Sequence, residues 1–414
     1  MRHPMKEKLL YKARVTKLEI VKKISSYLPY LFTSKKIQEL PNQHYYFPNL
    51  IDDPENILYT AQKLVDLPWG GVNPRFYGYS DSFLGILQDS FQTFLGTPDD
   101  QKTIVFENVL YSPKERCLYD AEGKRISSSC NFRQKGRTVN ASRSEERIEV
   151  PKKLRKVSGT AIYVGYFQIY HYGLFMTESI SRLWYLAKNL EHPVLVQGID
   201  NRLALRQNYI DFFFKIAGLD NERLSHFSTP TLIEKVIVPY PSVSLECEIF
   251  DAQKLVPEAI ANNYLQERKV SRTSQPLYIS RKKMPSHKRL IYNENELEQM
   301  LADRGCAIVD TQELPLGEQI ALINKHDTII STMGSALHNI LFNVTGEKNI
   351  VCLGYDDYIN PNFLMYDAIK KVNATYIAGL QRDPGCNKKG SFDNQNRFMN
   401  LSLTLSALKD INLL

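Results

Sequence analysis

The sequence predicts an α/β fold built on a parallel, doubly wound sheet, and three observations carry that reading. From Leu277 onward, short β-branched runs alternate with stretches of helical period. Alternation of this regularity implies βαβ crossovers and therefore parallel strands. A similar alternation comes earlier, from Thr160 to Pro239, so two α/β units stand in tandem. The punctuation agrees: Asn293 with Glu296 has the spacing of an N-cap and third helical position, Leu297 and Leu301 face one way, and Gly305 closes that helix.

In chain order, residues 1–40 form a basic arm. Met1 to Lys23 hold eight Lys or Arg against Glu7 and Glu19, interleaved with Leu9, Leu10, Val15, Leu18, Ile20 and Val21. Such a stretch suits either a solvated arm or contact with an anionic membrane surface. The net charge of +7 is partly explained by this tail and gives little ground for a nucleic-acid partner. Glu107 to Ile126 read as paired strands turning at Glu122-Gly123. Thr160 to Phe167 read as a strand and Phe175 to Ala187 as a helix burying Phe175, Met176, Ile180, Leu183, Trp184 and Ala187. A strand at Val194–Gly198, a helix at Asn201–Leu219 and a strand ending at Pro239 complete the first unit. The polar stretch Gln266 to Gln275 reads as the linker, which divides the chain into an N-terminal domain at 41–270 and a C-terminal domain at 271–414.

The C-terminal unit reads as strands at Leu277–Ser280, Ala307–Thr311, Thr328–Thr332, Asn349–Gly354 and Thr375–Gly379. Helices at 293–305, 315–326, 334–342 and 362–372 separate them. The stretch STMGSALHNILF, Ser331 to Phe342, stands out because a buried strand turns through Met333-Gly334-Ser335 into a helix. A helix start offers amide N–H groups and a positive dipole end to an anion. Ligands of open α/β sheets bind beyond the carboxyl ends of the strands, so Arg281 and Gly334 are expected in one crevice. An arginine and a helix start converging there suit a pyrophosphate. Arg289 supplies further fixed charge, the Gly334 and Ser335 amides supply hydrogen bonds, and His338 lies one turn on, with its charge state open. Asn339 reads more naturally as a brace for the loop.

Four blocks in order carry a family resemblance: HYGLFMTESISRLW, YISRKKMPSHKRLIYNENEL, DTQELPLGEQIALI and STMGSALHNILF. They resemble the motifs of glycosyltransferase family 61. The resemblance implies a GT-B-like fold of two Rossmann-type doubly wound domains facing a cleft, with a nucleotide-sugar donor, UDP-linked, in the C-terminal domain. It also implies inversion at the anomeric carbon and a glycan or lipid-linked glycan acceptor from bacterial capsule or lipopolysaccharide assembly. Two departures stand out. Leu174 and Met333 occupy positions where the family usually has His, while His171 and His338 lie close by in sequence.

An inverting transferase needs a group to deprotonate the acceptor hydroxyl and groups to stabilise the leaving diphosphate. His171, after the first strand, and Glu178 are the candidates for the base; Glu178 also has the i,i+4 spacing of an ion pair with Arg182. Glu313, Glu318 and Gln319 match the third block, with structural roles preferred. No D-x-D triplet appears, so no metal or other cofactor is expected. The six cysteines show no paired spacing such as CxxC, which fits a reducing compartment. No apolar run reaches the length of a transmembrane helix and no signal-peptide core is visible, so a cytoplasmic enzyme at the inner face of the membrane is expected. Two other readings share these motifs: a non-catalytic scaffold subunit of a polysaccharide assembly complex, and a GT-B-like transferase of non-sugar groups or glycan phosphates.

Overall fold

The computed structural model describes residues 73–90, 94–96, 103–135, 138–141, 145–168, 171–187, 192–198, 208–217, 219, 224–246, 248–284, 290–382 and 396–413. The basic arm, Arg289 and the first part of the helix expected at Asn201–Leu219 lie outside these residues.

The strands are, in chain order, β1 (Arg75–Tyr77), β2 (Phe94–Gly96), β3 (Thr103–Tyr111), β4 (Leu118–Tyr119), β5 (Phe132–Lys135), β6 (Thr138–Ala141), β7 (Arg155–Tyr166), β8 (Val194–Gln197), β9 (Leu224–Ser225), β10 (Thr231–Pro239), β11 (Val243–Ser244), β12 (Glu248–Phe250), β13 (Leu277–Ile279), β14 (Ala307–Val309), β15 (Thr328–Thr332), β16 (Asn349–Tyr355), β17 (Asn373–Arg382) and β18 (Arg397–Met399). The α-helices used below are α1 (Asp81–Ser90), α2 (Tyr172–Leu174), α3 (Asn208–Ile216), α4 (Leu255–Gln266), α5 (Glu294–Ala302), α6 (Leu316–Lys325), α7 (Pro361–Lys370) and α8 (Leu401–Asp410).

The C-terminal unit forms the parallel sheet that its alternation predicts. Its strand order is β1-β17-β16-β15-β13-β14, and only β18, paired with β17, runs antiparallel. Counting from β13, the five sequential strands take the doubly wound order 2-1-3-4-5, whose direction of winding reverses between β13 and β15. β13 and β15 are buried at every residue and β16 at all but its first, because helices cover both faces of a parallel sheet. β1 comes from the chain's first hundred residues, yet it lies along the edge of this second sheet, with Phe76 stacked on Tyr376.

The first unit is mixed. β10, β7, β8 and β9 are parallel as the alternation predicts, while β3 and β4 add antiparallel on the β10 side. The turn at Glu122-Gly123 is present: Gly123 has φ +80°, and a Cβ there would meet the Ile148 carbonyl. One apolar core runs through both units and takes in Phe175, Phe213, Phe342 and Tyr366.

Three local expectations are corrected. Phe175 to Ala187 is not one α-helix. It is a π-helical turn over Phe175–Ser179 followed by a 3₁₀ helix over Leu183–Ala187. Arg182 consequently faces inward, fully buried, and donates to the Pro239 and Cys130 carbonyls rather than to the Glu178 carboxylate. Asn293 does not cap its helix through its side chain; its amide group instead bonds both ways to the Met399 main chain, tying α5 to β18.

Candidate functional site

Arg281 follows β13 directly, and its main-chain turn is fixed by Glu294 at the start of α5. The buried Glu294 carboxylate accepts from the Arg281 amide and from the Tyr278 hydroxyl, both at 2.8 Å. Burial raises the pKa of Glu294, and these two donors pull it back. On the neighbouring strand, β15 ends at Thr332, and Met333-Gly334 lead into a 3₁₀ helix over Ser335–Phe342. A Cβ at Gly334 would lie 2.6 Å from the Arg281 guanidinium, so the guanidinium rests against the bare glycine backbone. Arginine and helix start therefore converge between β13 and β15, where the winding of the sheet reverses.

The first unit reaches this point through α2. A Cβ at Gly173 would lie 2.8 Å from Ser335 Oγ, 3.2 Å from the His171 ring and 3.3 Å from His338 Nε2. Gly173 is thus the contact at which His171, Ser335 and His338 meet. Next to it the Tyr172 hydroxyl donates to Asn339 Oδ1, Asn339 Nδ2 donates to Gln319 Oε1 at 2.8 Å, and Gln319 Nε2 holds the Thr311 and Leu314 carbonyls. This chain of side chains braces the seam between the sheets, so Asn339 and Gln319 have both ends of their amides occupied.

His338 is buried, its ring stacked on Phe363 with centroids 4.9 Å apart and edge-on to Tyr366. Burial and then the charge of His171 lower its pKa to about 3, so it is neutral at physiological pH. Its Nδ1 has no hydrogen-bond partner, and neither does the buried Thr332 hydroxyl at the end of β15. Buried polar atoms without partners are rare in folded proteins, and here two stand beside one helix start.

His171 is exposed and caps α2: its Nδ1 accepts from the Leu174 amide at 3.1 Å. In the neutral ring that bond places the proton on Nε2, so the ring presents a donor. Glu178 is buried on the π-helical turn, and its Oε2 accepts from Gln168 Nε2 at 3.3 Å at the end of β7. Of the two positions where the family motif carries His, Leu174 offers its amide to His171. Met333 is buried, and its sulfur accepts from the Asn360 amide. Glu313 is exposed and pairs with Lys283, and Glu318 accepts from the Tyr264 hydroxyl, so both act as surface and packing residues.

The structure thus brings together Arg281, Gly334, Ser335, His338 and His171. Residue-by-residue reading passed over Gly173, Tyr172 and Thr332. The only signal for the first was its small size beside two aromatic residues, Tyr172 and Phe175, in the first block.

The family model for glycosyltransferase 61 matches residues 172–351. That stretch opens at α2 and closes in β16, so it takes in strands of both sheets together with Arg281, Gly334, Ser335 and His338, but not His171. That match supports glycosyltransferase activity in general, and with it a sugar donor and an acceptor. No curated protein matches the chain.

Proposed function

We propose that this protein is an inverting glycosyltransferase of GT-B type that moves a sugar from a nucleoside-diphosphate sugar, UDP-linked, to a glycan or lipid-linked glycan acceptor in bacterial surface polysaccharide synthesis. Residues 271–414 form the donor side and 41–270 the acceptor side in this reading. The arm at 1–23 holds the enzyme to the inner face of the cytoplasmic membrane. The observation that carries it is the convergence of Arg281 with Gly334 and the following helix start at the reversal point of the second sheet. A departing diphosphate there meets a guanidinium, the first amides of a helix and, behind them, the uncharged His338 ring as a hydrogen-bond partner.

On the acceptor side, His171 and Glu178 stay the candidate proton-transfer groups, and their environments assign them different tasks. His171 Nδ1 accepts from the Leu174 amide, whereas Glu178 carries a carboxyl group, the kind of side chain whose ionised form offers the lone pairs a base requires. Arg289 keeps its expected place as a second source of positive charge.

Arg281→Ala removes a charge-assisted contact of about 1.5–3 kcal/mol and should weaken UDP binding at least ten-fold with the melting temperature unchanged. Gly334→Ala should weaken it as well, because the new Cβ displaces the guanidinium. Calorimetry with UDP decides: unchanged affinity in both variants would overturn the seat. Binding of UDP with no hydrolysis or transfer of a UDP-sugar would favour the scaffold reading.

A further inference from the structure

The loop between β3 and β4 carries an arginine with no counter-ion among the described residues. Arg116 is half-buried, and its guanidinium lies over the Tyr166 ring, 4.5 Å from the centroid. Its Nη1 is shut away from solvent and has no hydrogen-bond partner. The acid beside it in sequence, Glu115, is turned elsewhere and accepts from the Tyr119 hydroxyl at 3.2 Å. Withdrawing part of a charge from water without a counter-ion is costly, and contact with an aromatic ring leaves that charge uncancelled.

The loop is fastened at both ends. Buried Gln197, the last residue of β8, donates through Nε2 to the Ser112 carbonyl at 2.8 Å and to the Cys117 carbonyl at 3.1 Å. The Tyr111 hydroxyl adds a bond to the Val196 carbonyl at 3.0 Å. Gln197 stands opposite Tyr166, the last residue of β7. These bonds lay the loop, and Arg116 with it, over the carboxyl ends of two parallel strands. In open α/β sheets those ends are where ligands bind. Tyr166 also comes two residues before Gln168, whose Nε2 donates to the Glu178 carboxylate, and five before His171. A guanidinium held there presents a rigid fork of donors, which matches the paired oxygens of a phosphate or a carboxylate.

We propose that Arg116 binds an oxyanion of the acceptor, a phosphate or a sugar carboxylate, beside the candidate proton-transfer groups, so that the enzyme takes an anionic acceptor in preference to a neutral one. This rests on the acceptor side proposed above.

The test is calorimetric titration of the full chain, saturated with UDP, with glucose 1-phosphate, glucuronate and glucose, in the wild type, Arg116→Ala and Arg116→Met. The wild type should bind at least one of the two anions more tightly than glucose by on the order of ten-fold, the scale of one hydrogen bond to a charged group. Preference for glucose 1-phosphate identifies the group as a phosphate, and preference for glucuronate identifies a carboxylate. Arg116→Ala should bring the ratio to glucose close to one while UDP still binds. Arg116→Met keeps a long stem to pack on Tyr166 and serves if the alanine variant unfolds. A wild type that binds UDP but prefers neither anion overturns the Arg116 contact and leaves the donor seat standing. A preference that survives in both variants overturns it in the same way. Absence of UDP binding overturns the donor seat, and the acceptor contact falls with it.

Discussion

At the scale of single residues, the hydrogen bond from the Leu174 amide to His171 Nδ1 bears most on the proposed proton transfer, because in the neutral ring it places the proton on Nε2. A base must offer a lone pair, and His171 can offer one only by giving up its cap. Glu178→Gln should therefore lower kcat by about 10²-fold or more with little change in donor affinity. His171→Ala should cost less in kcat and should destabilise α2. Steady-state kinetics with thermal melts on both variants checks this; a larger kcat loss in His171→Ala would reverse the two roles. Gly334 and Ser335 stood out in the sequence because a strand turning into a helix on Gly-Ser is a local pattern. Gly173 and Thr332 did not, since their importance comes from what the other sheet or the next loop places against them.

At the scale of elements, the second sheet was legible and the segment after β7 was not. Strands β13 to β17 and helices α5 to α7 follow the alternation of the sequence because each repeats one pattern, an apolar run and then an amphipathic helix. Phe175 to Ala187 has the apolar spacing of a helix but lies as a π turn and a 3₁₀ helix. Tertiary bonds take the carbonyls that an α-helix would have used. Gln253 Nε2 holds the Met176 and Thr177 carbonyls, Ser242 holds that of Ser181, and the Arg182 guanidinium reaches across to Pro239 and Cys130. No local pattern announces such partners.

Helix α7 adds a pH dependence. Asp367 is buried against β17, where its Oδ2 accepts from the Tyr376 hydroxyl at 2.6 Å, and burial lifts its pKa from 3.8 to about 7. A carboxyl that holds its proton more tightly folded than unfolded stabilises the fold below pH 4. That stability is lost as pH rises through about 7, by on the order of 4 kcal/mol. Asp367→Asn keeps an acceptor for Tyr376 and carries no charge. The expected outcome is that its unfolding free energy falls less than that of the wild type between pH 5 and pH 8, measured by denaturant titration. Parallel curves for the two proteins would rule out this ionisation.

At the scale of the whole molecule, the two sheets share one apolar core and are joined at the site by Gly173 and by the Tyr172-Asn339-Gln319 chain. Among the described residues no group of three or more His, Cys, Asp and Glu is placed to hold a metal ion. With Arg281 and the helix start at the diphosphate seat, transfer is expected to continue in excess EDTA. Activity abolished by chelation and restored by Mn²⁺ would sink that expectation. The family motifs could not say that the first sheet is mixed, because antiparallel β3 and β4 lie outside the motif blocks.

The position of β1 bears on how the chain is made. Among the described strands it is the first to leave the ribosome, yet its partner among them, β17, is the last but one. During synthesis its backbone donors and acceptors must wait while the whole first sheet and most of the second are assembled, and such distant pairing is slow to form. The final closure of the second sheet is thus a late event that joins the two ends of the described chain. Expressing residues 271–414 alone would leave the β17 edge uncovered and open to pairing with another copy.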